Sequence, residues 1–147
     1  MHQPEYVAVE KIENLLTQSL FIAQSFVYGD SYQSYLVAVI VPDEEVIMKW
    51  SKDEAKPSIS GLTFQALCRS KILHDRIMSE VMEISNQNQL YGFEIPKAIH
   101  LESQPFSVEN NMLTPTFKLK RQQLKVLYAS QIDSMYANSS TFNNSKL

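Results

Sequence analysis

Leu20-Phe21-Ile22-Ala23-Gln24-Ser25-Phe26-Val27-Tyr28, then Gly29-Asp30-Ser31, then Tyr35-Leu36-Val37-Ala38-Val39-Ile40-Val41 is the stretch that decides the fold. Its first segment alternates, with Ile22, Phe26 and Tyr28 set against Gln24 and Ser25, as a half-buried strand does. Its last segment is almost continuously apolar, as expected of a central strand buried on both faces. The glycine, aspartate and serine between them supply a turn. The pair predicts two antiparallel strands.

Helices surround that pair. Downstream, Pro42-Asp43-Glu44-Glu45 opens a helix, with proline early, acids in the first turn and Val46, Ile47 and Trp50 turned inward. Ser51 to Gly61 is polar, contains Pro57 and reads as a loop. Thr63 to Cys68 reads as a short helix. Lys71 to Asn86 is the clearest helix, with Ser70 as N-cap and Ile72, Ile77, Val81 and Ile84 on one stripe. Pro96 to Leu101 reads as a strand near an edge, since proline cannot donate to a central ladder. Glu109-Asn110-Asn111 is a turn. Leu119 to Tyr136 reads as a final helix, with Leu124, Leu127, Tyr128, Ile132, Met135 and Tyr136 as its apolar face. Upstream, Tyr6 to Val9 reads as a strand or one arm of a hairpin, and Glu10 to Ser19 as a helix carrying Ile12, Leu15 and Leu16. The order predicts an α+β fold, a small mixed sheet with flanking helices. Residues 1–137 form one domain, and the Ser- and Asn-rich residues 138–147 a flexible tail.

Composition sets the bounds. The chain has 147 residues, 44% hydrophobic and 20% charged, enough to bury a core as a single domain. A net charge of −3 and a pI near 5.6 argue against a nucleic-acid binder held by a basic surface. One cysteine, Cys68, excludes a disulfide framework or a cysteine-based zinc cage and fits a reducing compartment. No apolar run approaches the roughly 20 residues of a membrane span. Met1-His2-Gln3-Pro4 lacks the basic flank and apolar stretch of a signal peptide. A soluble intracellular domain is expected.

Gly29, Gly61 and Gly92 are too few and too scattered for a dinucleotide fingerprint, a P-loop or a nucleophile elbow. His2, His74 and His100 share no metal-ligand spacing, and no metal site is expected. If the chain serves a nucleotide enzyme, most of the nucleotide site lies elsewhere. The unusual string is Thr114-Pro115-Thr116-Phe117-Lys118-Leu119-Lys120-Arg121, which sets three cations at a predicted helix start. Each cation costs about 0.3–1 kcal/mol there, where a carboxylate would gain it. Two readings stand: a tip that contacts a phosphate or carboxylate, or a solvated basic patch. The remaining candidates read as structural. Cys68 is a small core residue, His100 lies on a strand, Met78 and Met82 pack in the core, Glu44 and Glu45 start a helix, and Trp50 anchors a helix to the sheet.

Beside the opening Glu5-Tyr6-Val7-Ala8-Val9-Glu10-Lys11-Ile12-Glu13-Asn14, the cationic string resembles the C-terminal domain of the AMP-forming long-chain fatty acid–CoA ligases, within the adenylate-forming superfamily. That domain opens on a Gly-Glu-Tyr hairpin followed by a helix and ends on Leu-Thr-Pro-Thr-x-Lys-x-Lys-Arg, here Leu113 to Arg121. Tyr28-Gly29-Asp30-Ser31 with Leu36-Val37-Ala38-Val39, Phe64 to Cys68, and Phe93-Glu94-Ile95-Pro96 are similar too. The likeness runs from about Glu5 to Tyr136.

The resemblance implies the lid domain of such a ligase, with an N-terminal hairpin. Lys118 would enter the active site while the fatty acid is adenylated, touching the substrate carboxylate and the phosphate under attack; Lys120 competes for that role. Arg121 is a possible phosphate contact. Phe117 stands where the wider superfamily has glycine. Glu5, Tyr6 and Val7 would line the coenzyme A tunnel in the second half-reaction, although Pro4 replaces the hairpin glycine and cannot copy its backbone contact. ATP and Mg2+ would be bound mainly by the enzyme's own N-terminal domain, the implied partner, whose ATP loop, acyl tunnel and hinge precede the point where this chain begins. Long-chain fatty acid and coenzyme A are the implied substrates, and the chain alone is not expected to be active. Ser145-Lys146-Leu147 is the tripeptide read by the peroxisomal import receptor, so peroxisomal placement is expected, with the cytoplasm or the cytosolic face of the endoplasmic reticulum as the alternative. Two other functions remain open: a stand-alone, non-catalytic lid-like module binding a partner or a CoA-type ligand, and an anion-binding regulatory domain unrelated to ligases.

Overall fold

The computed structural model of the chain describes residues 8–30, 32–53 and 59–145. In chain order they form α1 (Val9–Leu16), β1 (Ile22–Gly29), β2 (Leu36–Pro42), α2 (Glu44–Asp53), α3 (Phe64–Cys68), α4 (Lys71–Gln87), β3 (Pro96–Leu101), α5 (Arg121–Leu127) and α6 (Ala129–Ser145). β1 and β2 pair antiparallel, with Phe26 opposite Val39. β3 adds parallel to the other side of β2, with Ala38 opposite Ile99. The order β1-β2-β3 makes the sheet mixed and puts β3 at an edge, where the missing N–H of Pro96 costs little. The parallel step from β2 to β3 needs a long crossover, and α2, α3 and α4 fill it.

Every residue of β2 is buried, because its two faces meet two different cores. Leu36, Ala38 and Ile40 pack with Ile12 and Leu16 of α1, Ile47 of α2, Leu67 of α3 and Leu73, Ile77 and Val81 of α4. Val37, Val39 and Val41 pack with Phe26, Phe106, Leu113 and the Leu124, Tyr128, Ile132 and Met135 stripe of α5 and α6. The period-2 alternation of one apolar run thus assigns helices to both faces of the sheet. Ser70 Oγ accepts the Leu73 N–H at 3.2 Å and caps α4; Thr63 does the same for α3 through Ala66 at 3.1 Å. The Asp43 carboxylate accepts the Val46 N–H at 3.0 Å, so Asp43 caps α2 while Pro42 ends the strand.

Several expectations change. Val9 starts α1 rather than ending a strand, since Val9, Ile12 and Leu16 share one face at helical spacing, which overrides a β-branched preference. α2 continues past Trp50 to Asp53, into the predicted loop; residues 54–58 lie outside the described ones. On α4 the inward stripe is Leu73, Ile77, Val81 and Ile84, while Ile72 and Met82 are about two-fifths exposed; only Met78 of the two methionines packs on the core. The last helix starts at Arg121, because Leu113 and Leu119 pair in a bridge that keeps the chain extended up to Lys120. It bends at Tyr128 (φ −101°, ψ 19°), whose ring is buried and whose hydroxyl donates to Glu102 at 2.6 Å; Leu127 is turned outward. The backbone then stays helical to Ser145, past the predicted end at Tyr136, as no glycine or proline interrupts it. Trp50 meets Phe21 edge to face just before β1, so the anchoring role holds.

Candidate functional site

Between β3 and α5 the chain makes a tight loop whose sequence explains its shape. Pro115 occupies the second position of a turn in which the Phe117 N–H donates to the Thr114 carbonyl at 2.7 Å. The Thr114 N–H donates to the Lys118 carbonyl at 2.8 Å, and the Thr114 hydroxyl accepts the Lys118 N–H at 3.1 Å. This is a three-residue hairpin loop, whose last position takes a left-handed backbone. Phe117 holds that position at φ 65°. Glycine is the usual occupant, and a side chain there costs about 1–2 kcal/mol. The phenyl ring gains little burial in return, being 74% exposed.

The three cations of this string have three different surroundings. Lys118 is exposed and its ammonium has no partner among the described residues. Lys120 is the N-cap of α5 and donates to the Asn111 side-chain carbonyl. Arg121 turns to α1: its Nη2 and Nη1 donate to the two carboxylate oxygens of Glu13 at 2.6 and 3.0 Å. Those hydrogen bonds raise the Arg121 guanidinium above its ordinary value against the opposing effect of burial. Arg121 thus commits two of its five guanidinium N–H groups to Glu13 in this structure, and a phosphate would be met by the others. The expected cluster at a helix start is also revised. Lys118 stands on the hairpin tip, and α5 has only seven residues.

Glu13 was not legible as a site residue. It is buried, accepts the Val27 backbone N–H at 2.7 Å as well as Arg121, and so binds three elements at one carboxylate. The available signal was its place three residues before Leu16, on the inward side of α1, where a charge demands a partner. Beside it runs an open cleft of about 330 Å³, lined by Asn14, Gln24, Ser25, Phe106, Phe117 and Leu119 among others. Gln24 closes one side by pairing both amide atoms with the Phe106 backbone, at 3.0 and 2.7 Å.

Other candidates keep their structural reading. Burial, with Glu102 and Glu44 nearby, pushes the Cys68 thiol up to about 11, which leaves it protonated and a poor nucleophile at neutral pH. Burial lowers His100, whose ring lies 6.0 Å from that of Tyr128. Glu44 and Glu45 form the first turn of α2. Glu5, Tyr6, Val7, Lys146 and Leu147 lie outside the described residues, and Ser145 is the last residue of α6.

No protein-family model matches the chain. Single proteins do. It is 43% identical over 137 residues to long chain acyl-CoA synthetase 2 of Arabidopsis thaliana, covering 93% of this chain and 20% of that protein. Human long-chain-fatty-acid–CoA ligase 6 is 42% identical over 92% of this chain and 19% of its own length. Long chain acyl-CoA synthetase 7, peroxisomal, of Arabidopsis thaliana is 41% identical, again over 92% and 19%. The chain thus spans about a fifth of the curated relatives it matches. Among solved structures, the adenylation domain of a carboxylate reductase from Mycobacterium chelonae superposes with a TM-score of 0.72 at 32% identity, over 89% of this chain and 18% of that one. The corresponding didomain from Segniliparus rugosus, in complex with AMP, gives 0.74 at 26% identity, over 92% and 16%.

Proposed function

We propose that this chain, which belongs to the long-chain acyl-CoA synthetase family, is the C-terminal lid domain of a ligase that activates long-chain fatty acids. In the first half-reaction the fatty-acid carboxylate attacks the α-phosphorus of ATP, giving acyl-adenylate and pyrophosphate. In the second the thiol of coenzyme A attacks the acyl carbonyl and AMP leaves. The observation that carries this reading is Lys118, an ammonium without a partner among the described residues, held on a hydrogen-bonded hairpin tip within Leu113 to Arg121. Bringing a carboxylate to a phosphate gathers negative charge, and a positioned ammonium offsets it. Lys118 suits that task better than Lys120, which Asn111 holds.

Glu5, Tyr6 and Val7 then serve the second half-reaction, along the pantetheine arm of coenzyme A. ATP is bound mainly by the ligase's own N-terminal domain. Mg2+ would help neutralise its phosphates there; among the described residues no three His, Cys, Asp or Glu side chains converge as metal ligands. Ser145-Lys146-Leu147 supports delivery to peroxisomes by the import receptor where that tripeptide forms the protein's C-terminus, and relatives at 41% and 42% identity are named as peroxisomal. Cytosolic retention of a fluorescent protein fused ahead of residues 138–147 would refute that placement.

The test of the function is a chimera in which this chain replaces the matching segment of long chain acyl-CoA synthetase 2 of Arabidopsis thaliana. Fatty-acid-dependent release of pyrophosphate and formation of acyl-CoA are expected. A folded but inert chimera would favour the alternative, a lid-shaped module that binds a partner or a CoA-type ligand without catalysis.

A further inference from the structure

Lys118 and Arg121 are three residues apart, and what separates their surroundings is the buried carboxylate of Glu13. Its Oε2 accepts the Val27 N–H of edge strand β1 at 2.7 Å and Arg121 Nη1 at 3.0 Å, while Oε1 accepts Arg121 Nη2 at 2.6 Å. One side chain therefore joins α1, β1 and the first residue of α5. Exposed ion pairs do little, but a bidentate guanidinium on a buried carboxylate fixes direction as well as distance.

The backbone between Arg121 and Lys118 has no slack to absorb a shift. The Lys120 N–H donates to the Met112 carbonyl at 2.9 Å, Leu119 pairs with Leu113, and Thr114 bonds both backbone groups of Lys118. A displacement of Arg121 is passed along this ladder to the tip. Resting on the lid-domain reading, the geometry points to Glu13 as a positioning residue: through Arg121 it sets where the Lys118 ammonium stands relative to α1 and the sheet. It touches no substrate. Its effect on the reaction comes entirely through Lys118.

Glu13→Gln is the informative variant, because the amide keeps an acceptor oxygen for Val27 while losing the charge that holds Arg121. In the chimera it should lower the maximal rate of acyl-adenylate formation about tenfold, since small misplacement of a reacting group is costly. KM for ATP should move by less than about twofold, the nucleotide being held elsewhere. In a Lys118→Ala background the same change should alter the rate by less than about twofold, as expected of two residues acting through one group. Equal losses with and without Lys118 would overturn the inference, since Glu13 would then act on the fold at large. Hydrogen exchange in the 147-residue chain gives a readout free of activity. Glu13→Gln should speed exchange of the Lys118 amide and leave the centre of β2 unchanged; an unaltered Lys118 amide would contradict the brace. An inactive chimera without substitutions refutes the lid-domain reading instead, and leaves the exchange result to decide the brace.

Discussion

β2 and the loop from Leu113 to Leu119 are both closed by backbone hydrogen bonds, yet they use that order in opposite ways. β2 points the side chains from Leu36 to Val41 into one or other of two cores, with Leu36, Val37 and Ile40 wholly buried. The loop points Phe117 and Lys118 outward and holds Phe117 in a backbone region that disfavours it. Burial stabilises the strand, whereas the loop is held in place by the body it stands on. Strain of that sort persists only where the surroundings over-determine it. The Leu113–Leu119 bridge, the Thr114 contacts and the Arg121–Glu13 pair supply the determination.

The contrast orders the expected effects on stability, measured by denaturant unfolding of the chain. Ile40→Ala in the middle of β2 should cost about 4 kcal/mol, the upper part of the range for emptying a fully enclosed site. A loss below about 1 kcal/mol would mean that the two-sided core is loosely packed. Arg121→Leu should cost about 3 kcal/mol, because it leaves the buried Glu13 carboxylate without its partner. An unchanged midpoint would show that the pair is not a structural link between body and loop. Phe117→Gly should gain about 0.5 kcal/mol, the relief of the left-handed backbone exceeding glycine's added entropy. A clear loss there would mean that the ring, despite its exposure, packs against something that matters. Lys118→Ala comes last, with no change beyond about 0.5 kcal/mol, as its side chain meets no partner among the described residues.

Most of the body was legible because it rests on periodicity. The continuous run of β2, the Ser70 cap and the proline-led edge strand stand as the sequence implies. By contrast, β1 does not alternate: Ser25, Phe26 and Val27 are all buried, and a register shift between Ile22 and Gln24 sends Ile22 and Phe26 to different cores. Misread positions lie where periodicity ends or tertiary contacts compete. Ile72 and Leu73 are adjacent, and the one that faces inward is fixed by the orientation of α4 on the sheet. The bend at Tyr128 is set by a hydroxyl reaching Glu102, a pairing that no local pattern announces. At the site, the string around Lys118 was visible as a motif, but its hairpin shape and the commitment of Arg121 to Glu13 were not. That pair spans 108 positions in sequence. A buried carboxylate on an apolar helix face declares that a cation is needed without saying which one.

On the proposed lid-domain reading, Lys118 contributes least to the body and most to the chemistry. The direct measurement is Lys118→Ala in the chimera, with the two half-reactions followed separately. Acyl-adenylate formation should fall about 10²–10³-fold, the usual loss for one well-placed electrostatic group. Thioester formation from supplied acyl-adenylate should stay within about twofold, with Lys120→Ala near the unsubstituted chimera in both. Equal slowing of both half-reactions, or a larger loss from Lys120→Ala, would contradict the account.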